Sequence, residues 1–231
     1  MREIEKYIPL VDFLAKALGP NFEIVLHDVS NPNNSIIAIG NNHISGREVG
    51  GSVTDLALKI LKEGLSNDKN YIANYKGRLK NNNLTRSSSY FIKNEKGQIE
   101  GVLCINMDAT KLLDTRQYLD NFISNFTASE THSMANSVNN DTQLSALEAT
   151  VEVFENLHAT IDDVLQAIID KVLAEFPVSP ERMSLKEKMD VVKKLNDHGL
   201  FLLKGGLPEL AQRMKVSETT IYRYLQKSKE E

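Results

Sequence analysis

Residues 207–227 read LPELAQRMKVSETTIYRYLQK, and their spacing predicts two short helices joined by a tight turn. Pro208 suits the first turn of a helix, where a missing N–H costs no hydrogen bond. Ser217 is a good N-cap for the second helix. The two apolar stripes fall at helical spacing and consist of Leu210, Ala211 and Met214, then Ile221, Tyr224 and Leu225. This pattern is typical of a helix-turn-helix, whose second helix enters the major groove of DNA.

The polar face of the second helix has a chemistry that fits DNA. Arg223 and Lys227 can bond phosphate oxygens or guanine edges, and Glu218 can accept a hydrogen bond from cytosine N4. The predicted DNA-binding residues are Ser217, Glu218, Thr219, Thr220, Tyr222, Arg223 and Lys227. The alternative is a helical hairpin whose charged face is simply solvated. Lys215 stands where such turns usually have glycine, so we expect a left-handed or otherwise adapted backbone there.

The charge of the chain is unevenly distributed. The 231 residues carry a formal net charge of −4, yet residues 181–231 contain 11 Lys+Arg against 8 Asp+Glu, a net of +3. Residues 1–180 carry 16 against 23, a net of −7. A basic C-terminal module on an acidic body is the layout of a DNA-binding regulator. A module with a net charge of only +3 should bind DNA weakly as a single copy. We therefore expect a homodimer or homotetramer that combines the phosphate contacts of its copies.

Composition limits the class of protein further. A hydrophobic content of 41% and a charged content of 25% are ordinary for a globular protein. Cys104 is the single cysteine, which rules out an internal disulfide framework and suits a reducing cytoplasm. No apolar run approaches ~18 residues and the N-terminus lacks a signal-peptide layout, so we expect a cytoplasmic protein without a membrane partner.

The first part of the chain predicts a sheet with helices. Amphipathic helices are expected over 4–18 and 53–64, because their apolar residues recur at helical spacing. Strands are expected over 22–29, 35–40, 71–79, 87–93 and 98–107, with 94–97 as a hairpin turn. Five short antiparallel strands with helices on one face match the order of elements in PAS and GAF sensory domains.

The second part of the chain predicts helices only. They are expected over 114–133, 144–157, 161–176 and 183–198, with a flexible polar connection over 133–143. The predicted fold class is therefore α+β. It comprises a PAS-like sensor domain over 1–130 with a five-stranded antiparallel sheet, a helical connector and dimerisation segment over 131–180, and an all-α helix-turn-helix domain over 181–231.

Six runs of sequence carry a resemblance to a known family. They are 7–10 (YIPL) with Leu14, 23–28 (EIVLHD), 44–47 (ISGR) followed by Gly50, 87–89 (SSS) with 91–92 (FI), 101–108 (GVLCINMD), and 216–217 (VS) with 220–225 (TIYRYL). The chain resembles bacterial transcriptional regulators that combine a YheO-like PAS domain with a C-terminal helix-turn-helix. The resemblance extends over nearly the whole chain. It implies a DNA-binding regulator whose N-terminal domain senses a small molecule, and it leaves the effector unidentified.

A candidate effector site lies where a predicted strand ends and a glycine-bearing loop follows. The residues are His27, Asp28, Ser45, Gly46 and Arg47. If they converge, Arg47 can clamp a carboxylate and Asp28 an amine or guanidinium, as an amino-acid-like effector requires. The alternative is that Arg47 and Asp28 pair with each other and fix the loop.

Enzymatic chemistry has little support in the sequence. The five histidines lack metal-ligand spacing, and the loop over 41–52 lacks the spacing of a P-loop. Cys104 is expected to be a small buried hydrophobe, and Asn106 and Asp108 to be turn and cap groups rather than ligand contacts. We therefore expect a ligand-responsive transcription factor without catalytic activity or cofactor. A signalling adaptor that does not bind DNA directly is the alternative.

Overall fold

The computed structural model describes residues 2–63, 69–128, 154–157 and 160–227. A short 3-10 helix, Glu3–Tyr7, leads into the first part, whose elements are α1 Ile8–Leu18, β1 Phe22–Asp28, β2 Ile36–Gly40, α2 Asp55–Glu63, β3 Tyr71–Leu79, β4 Leu84–Lys93, β5 Ile99–Asp108 and α3 Thr110–Ala128. The second part consists of β6 Phe154–Leu157, α4 Ile161–Leu173, α5 Leu185–Asp197, α6 Gly206–Arg213 and α7 Glu218–Lys227. The predicted α+β class is confirmed.

The sheet has the strand order β2-β1-β5-β4-β3-β6. All neighbouring strands are antiparallel except β3 and β6, which run parallel. Side chains of β1 alternate between the two faces of the sheet. Ile24 and Leu26 pack with α1 on one face, whereas Val25 packs with α2 on the other. We call the face toward α2 the inner face, because α2 covers it.

Strand β6 is where the structure departs from the predicted helix over 144–157. Phe154–Leu157 form a strand, so the prediction is wrong for these four residues, while 144–153 lie outside the described residues. The edge of β3 offers unpaired backbone groups, and a parallel ladder from Lys76 opposite Phe154 to Leu79 opposite Leu157 satisfies them. This long-range pairing outweighs the local helical spacing, and it gives the sheet six strands instead of five. The predicted connection over 133–143 also lies outside the described residues.

Helices α4 to α7 form a bundle around one apolar core. Its fully buried side chains include Ile169, Val172, Val191, Val192, Leu195, Leu210 and Ile221. Two helices of this bundle start at hydroxyl caps, because Thr160 accepts a hydrogen bond from Asp163 N, and Ser184 from Glu187 N. Leu58 of α2 is buried in the same core. The bundle is therefore packed directly against the helix that covers the inner face of the sheet.

No helix in the described part of the chain combines the length and the apolar character that crossing a bilayer requires.

Candidate nucleic-acid interface and buried polar cluster

The turn between α6 and α7 has the geometry that the sequence predicts. Lys215 adopts a left-handed backbone with φ of 52°, as expected for a residue in the position that usually holds glycine. Ser217 caps α7, because its Oγ accepts a hydrogen bond from the backbone N–H of Thr220 at 3.2 Å. The backbone N–H of Val216 donates to the carbonyl of Ala211 at 3.1 Å. These bonds fix the conformation of the turn between α6 and α7.

Helix α7 buries one face and exposes the other. Ile221 is fully buried and Tyr224 nearly so, which anchors the helix on the core of the bundle. The predicted DNA-binding side chains at Ser217, Glu218, Thr219, Tyr222, Arg223 and Lys227 are exposed, and Thr220 is half-buried. The guanidinium of Arg223 lies 5.9 Å from the ring centre of Tyr224. A row of hydrogen-bonding side chains therefore projects from a rigidly held helix.

Two basic residues beside this row are engaged in ion pairs. Arg213, at the end of α6, pairs with Asp170 of α4. Lys215, in the turn, pairs with Glu181, which precedes α5. The Lys215 ammonium holds the pKa of the Glu181 carboxyl below its usual range. Both pairs are exposed and therefore weak, so a phosphate can replace either carboxylate at small cost.

A second group of polar residues lies buried on the inner face of the sheet. Its centre is an ion pair between Arg47 and Glu23 of β1, with Arg47 Nη2 2.5 Å from Glu23 Oε1 and at most 2% of either side chain exposed. Ser45 Oγ donates to Glu23 and accepts from Arg47 Nε at 3.1 Å, and Asn106 Nδ2 donates to Glu23 Oε1 at 3.0 Å. Burial works against the charge on Arg47, yet the carboxylates of Glu23 and Glu155 outweigh it and raise the pKa of the guanidinium.

Strand β6 brings a second carboxyl group into this cluster. Glu155 accepts hydrogen bonds from Thr54 Oγ1 at 2.5 Å and from Tyr75 OH at 2.8 Å. Its partners are neutral, and burial raises the pKa of the carboxyl above its usual range. The next residue, Asn156, donates from its backbone and its side chain to Asp55 at 3.0 and 2.8 Å. β6 is thus hydrogen-bonded both to β3 and to the start of α2.

His27 completes the cluster as a neutral imidazole. Its Nδ1 lies 2.8 Å from Ser35 Oγ. Burial and the nearby Arg47 charge lower the pKa of His27 to about 3. Among the described residues, four buried side-chain polar atoms lack a hydrogen-bond partner, and three of them are His27 Nε2, Arg47 Nη1 and Asn106 Oδ1. These three atoms therefore have unused hydrogen-bonding capacity on the inner face.

Strand β4 lines the cluster with hydroxyl groups. Thr85, Ser87 and Ser89 alternate along the strand and are all buried. Ser89 Oγ lies 3.3 Å from Cys104 Sγ, and burial raises the pKa of that thiol to about 12. Cys104 is therefore a buried side chain, as the sequence predicts. Within the described ranges, no three His, Cys, Asp or Glu side chains lie close enough together to hold a metal ion.

Comparison with known families decides the identity of the sheet domain. A model of the YheO-like PAS domain matches residues 1–124, which is more than half of the chain. The chain belongs to the YheO-like PAS domain family. A model of a helix-turn-helix domain matches residues 164–226, a range that covers most of α4 and α7 and all of α5 and α6.

Three relatives show how far the similarity extends. An uncharacterized protein of Haemophilus influenzae is 29% identical over 99% of this chain and 92% of its own length. The uncharacterized protein YheO of Escherichia coli is 29% identical over 98% of this chain and 85% of its own length. The transcriptional regulator DauR of Pseudomonas aeruginosa is 34% identical over 52% of this chain and 54% of its own length. The first two relatives therefore share both parts of the chain.

The YheO-like PAS domain brings together some of the predicted effector residues and separates others. His27, Ser45 and Arg47 meet on the inner face, and Gly46 makes the left-handed turn between the latter two with φ of 74°. Asp28 projects from the opposite face and pairs with Arg2 near the N-terminus. Neither Arg47 nor Asp28 pairs with the other. The Arg2 guanidinium and the Ser30 groups hold the pKa of Asp28 low, although its partial burial opposes them.

The expectations for the end of β5 are half right. Asp108 Oδ1 accepts from the backbone N–H of Thr110 at 3.0 Å, so it caps α3 as predicted. Asn106 is fully buried in the strand and bonded to Glu23, so its assignment as a turn group is wrong. Its side chain turns inward because the register places it directly opposite Glu23.

Several residues of the cluster escaped the sequence analysis. Glu23, Thr54, Tyr75 and Glu155 come from four separate segments. The sequence carries one signal for Glu23 and another for the β4 hydroxyls that also line the cluster. Glu23 is a charged residue within the apolar run FEIVL, and the hydroxyls of β4 recur at every second position. Glu155 has no such signal, because its segment matches a helical spacing better than a strand.

Proposed function

We propose that this YheO-like PAS protein is a homo-oligomeric transcriptional regulator that binds double-stranded DNA through α7 and senses a small molecule in its PAS domain. The observation that carries the proposal is the exposed polar row on an anchored α7. The name of the relative DauR, a transcriptional regulator, supports the same function. In a helix-turn-helix the residues of the second helix contact base edges while its neighbours bond phosphates.

Arg223 is the best single probe of DNA binding. It is exposed at the middle of the row and can bond a guanine edge or a phosphate. Arg223→Ala should weaken operator binding by about 1–3 kcal/mol for a base contact, or lower the salt slope by about one for a phosphate contact. Lys96→Ala, at the exposed turn between β4 and β5, is the charge-matched control and should leave binding unchanged.

The measurement is fluorescence anisotropy on DNA from upstream of the neighbouring genes, repeated at several salt concentrations. Wild-type protein should bind one of these segments more tightly than unrelated DNA, and only Arg223→Ala should reduce that binding. If Arg223→Ala left both affinity and salt slope unchanged, the assignment of α7 would fail. If the wild-type protein bound none of the segments, an adaptor without direct DNA binding would be the better explanation.

We place the effector on the inner face of the sheet, at the buried cluster. Arg47 Nη1 can donate to a carboxylate, which would satisfy a group that otherwise lacks a partner. Glu155 is a buried carboxyl whose hydrogen bonds come from neutral hydroxyls, so an ammonium or guanidinium group would further stabilise its charged form. These groups favour an amino-acid-like effector, with Glu155 in the role that the sequence assigned to Asp28.

Strand β6 gives the effector a route to the DNA-binding helices. Glu155 lies only six residues before Ile161, the first residue of α4, and its strand is held to the sheet by four paired residues. A ligand that binds Glu155 competes with its hydrogen bonds to Thr54 and Tyr75. Such a ligand would shift the equilibrium between β6 paired with β3 and β6 detached from the sheet. Because half-sites lie ~34 Å apart, a small rotation of α4 and its bundle would misalign two copies of α7.

A thermal-shift screen tests the effector class. Each amino acid is compared with two matched analogues, one lacking the carboxylate and one lacking the amine. The cognate amino acid should raise the melting temperature, since ligand at 100 times its Kd stabilises by about 2.7 kcal/mol, while both analogues should fail to do so. Equal stabilisation by the intact compound and either analogue would refute the proposed two-point recognition.

A further inference from the structure

Helix α3 exposes large apolar side chains along most of its length. Every side chain from Lys111 to Ser124 is exposed. Six of these side chains are large and apolar, with exposed fractions between 43% and 69%: Leu112, Leu113, Tyr118, Leu119, Phe122 and Ile123. Patches of this kind on a folded protein commonly mark interaction sites.

Four of these residues share one side of the helix. At 3.6 residues per turn, Leu112, Tyr118, Leu119 and Phe122 fall within an arc of about 120°. We call them the α3 strip. Leu112 and Leu119 are one heptad apart, and Phe122 follows at the spacing of the next core position of a coiled coil. The arrangement is that of a helix face that packs against another helix.

The sheet fixes the start of α3. The backbone N–H of Ala109 donates to the carbonyl of Leu84 at 3.0 Å, and Asp108 caps the first turn. The helix therefore leaves the C-terminal end of β5 in a defined direction. At 19 residues and ~1.5 Å per residue it is about 28 Å long, enough to place the whole strip along a partner helix.

We propose that the α3 strip is a self-association surface that packs against the α3 strip of a second copy of this chain. The charges on α3 are compatible with a second copy of the same helix as the partner. The exposed ionic residues of the helix are Lys111, Asp114, Arg116 and Asp120, two positive and two negative, so two copies do not repel each other. In a two-fold interface the same patch must complement itself.

The exposed apolar area lies at the lower end of what a specific dimer buries. An aromatic side chain has about 150–250 Å² to bury, so the exposed fractions of Tyr118 and Phe122 alone provide about 190–320 Å² per copy. Both copies and the flanking leucines bring the interface toward the ~1,200 Å² at which specific contacts begin. The dimer is therefore expected to be of moderate affinity. This inference rests on the proposed function in one respect: contact of two α7 helices with two DNA half-sites requires two copies of the chain.

Sedimentation of the full-length chain without DNA tests the surface. Leu119→Glu combined with Phe122→Glu puts charge in the strip, while Gln117→Glu combined with Asn121→Glu adds the same charge to the opposite side of the same helix. We expect a concentration-dependent dimer for the wild type and for the second pair. The strip variant should dissociate with a Kd raised by about 100-fold or more. Phe122→Ala should give an intermediate loss, and circular dichroism should show unchanged helix content in all variants.

Several outcomes would overturn the proposal. They are a monomeric wild type up to high micromolar concentration, a strip variant as dimeric as the wild type, and equal dissociation of both double variants. A monomeric wild type whose melting temperature drops only in the strip variant would show that the strip is covered within one chain instead. Since no DNA is present, these results leave the proposed DNA binding untouched. Anisotropy on a single half-site, where monomer and dimer both bind through one α7, tests that separately.

Discussion

Replacing His27 with asparagine should remove a defined part of the pH dependence of stability. His27 is fully buried, and its Nδ1 lies 2.8 Å from Ser35 Oγ. Burial and the neighbouring Arg47 lower the pKa of the imidazole from 6.5 to about 3. Asparagine can keep a hydrogen bond to Ser35 because its amide reaches a similar position. The substitution therefore removes the titrating group while it retains the local contact.

The sign and size of the effect follow from the two pKa values. Between pH 6.5 and 3 the unfolded chain binds a proton at His27 that the native protein does not bind, so stability falls as the pH falls. Each pH unit below 6.5 costs about 1.4 kcal/mol, and at pH 5 the cost reaches about 2 kcal/mol. Above pH 7 the contribution of His27 to the pH dependence disappears.

Urea unfolding at pH 7.5 and pH 5.0, followed by circular dichroism, measures this contribution. The wild type should lose about 2 kcal/mol more than His27→Asn between the two pH values. The same substitution at exposed His43 is the matched control for exchanging a histidine for asparagine. If His27→Asn lost as much stability on acidification as the wild type, the imidazole would not be held neutral by burial.

Three further predictions concern single residues. Lys215→Gly should raise the free energy of unfolding by about 0.5–1 kcal/mol, because φ of 52° strains any residue with a Cβ; a lower urea midpoint would contradict this. Ser217→Ala should cost about 1 kcal/mol by removing the cap on Thr220 N, and an unchanged midpoint would argue against that cap. Glu155→Gln should show a pH dependence opposite to His27. Since burial raises the native pKa of Glu155 above 4.5, the stability of the wild type should fall relative to that of the variant as the pH rises above 4.5, and equal pH dependence of the two would refute the assignment.

The helix-turn-helix could be predicted in detail because its determinants are local. Leu210, Met214 and Ile221 recur at helical spacing, and all three are buried in the bundle. The Ser217 cap acts within three residues, and the left-handed Lys215 follows from the shortness of the turn. Interactions over three or four residues leave a trace in the order of side chains, so the exposed face of α7 follows from the sequence alone.

The buried cluster could be predicted only in part, because its contacts cross the chain. The sequence indicates that Ser45 and Arg47 carry binding chemistry, but the partner of Arg47 is Glu23, 24 residues away, and not Asp28. The choice between them depends on which face of β1 each side chain occupies. A strand alternates strictly, so neighbouring residues such as His27 and Asp28 end on opposite faces.

The sequence by itself determined the α+β class, the two-helix unit near the C-terminus and the polar face that unit presents, because each depends on periodicity within a few residues. Tertiary structure alone decided that 154–157 form a strand and that Glu155 enters the sheet domain to meet Thr54, 101 residues away. The reason is physical. The unpaired edge of β3 supplies backbone partners that local spacing does not reveal, and satisfying them outweighs a weak preference for helix.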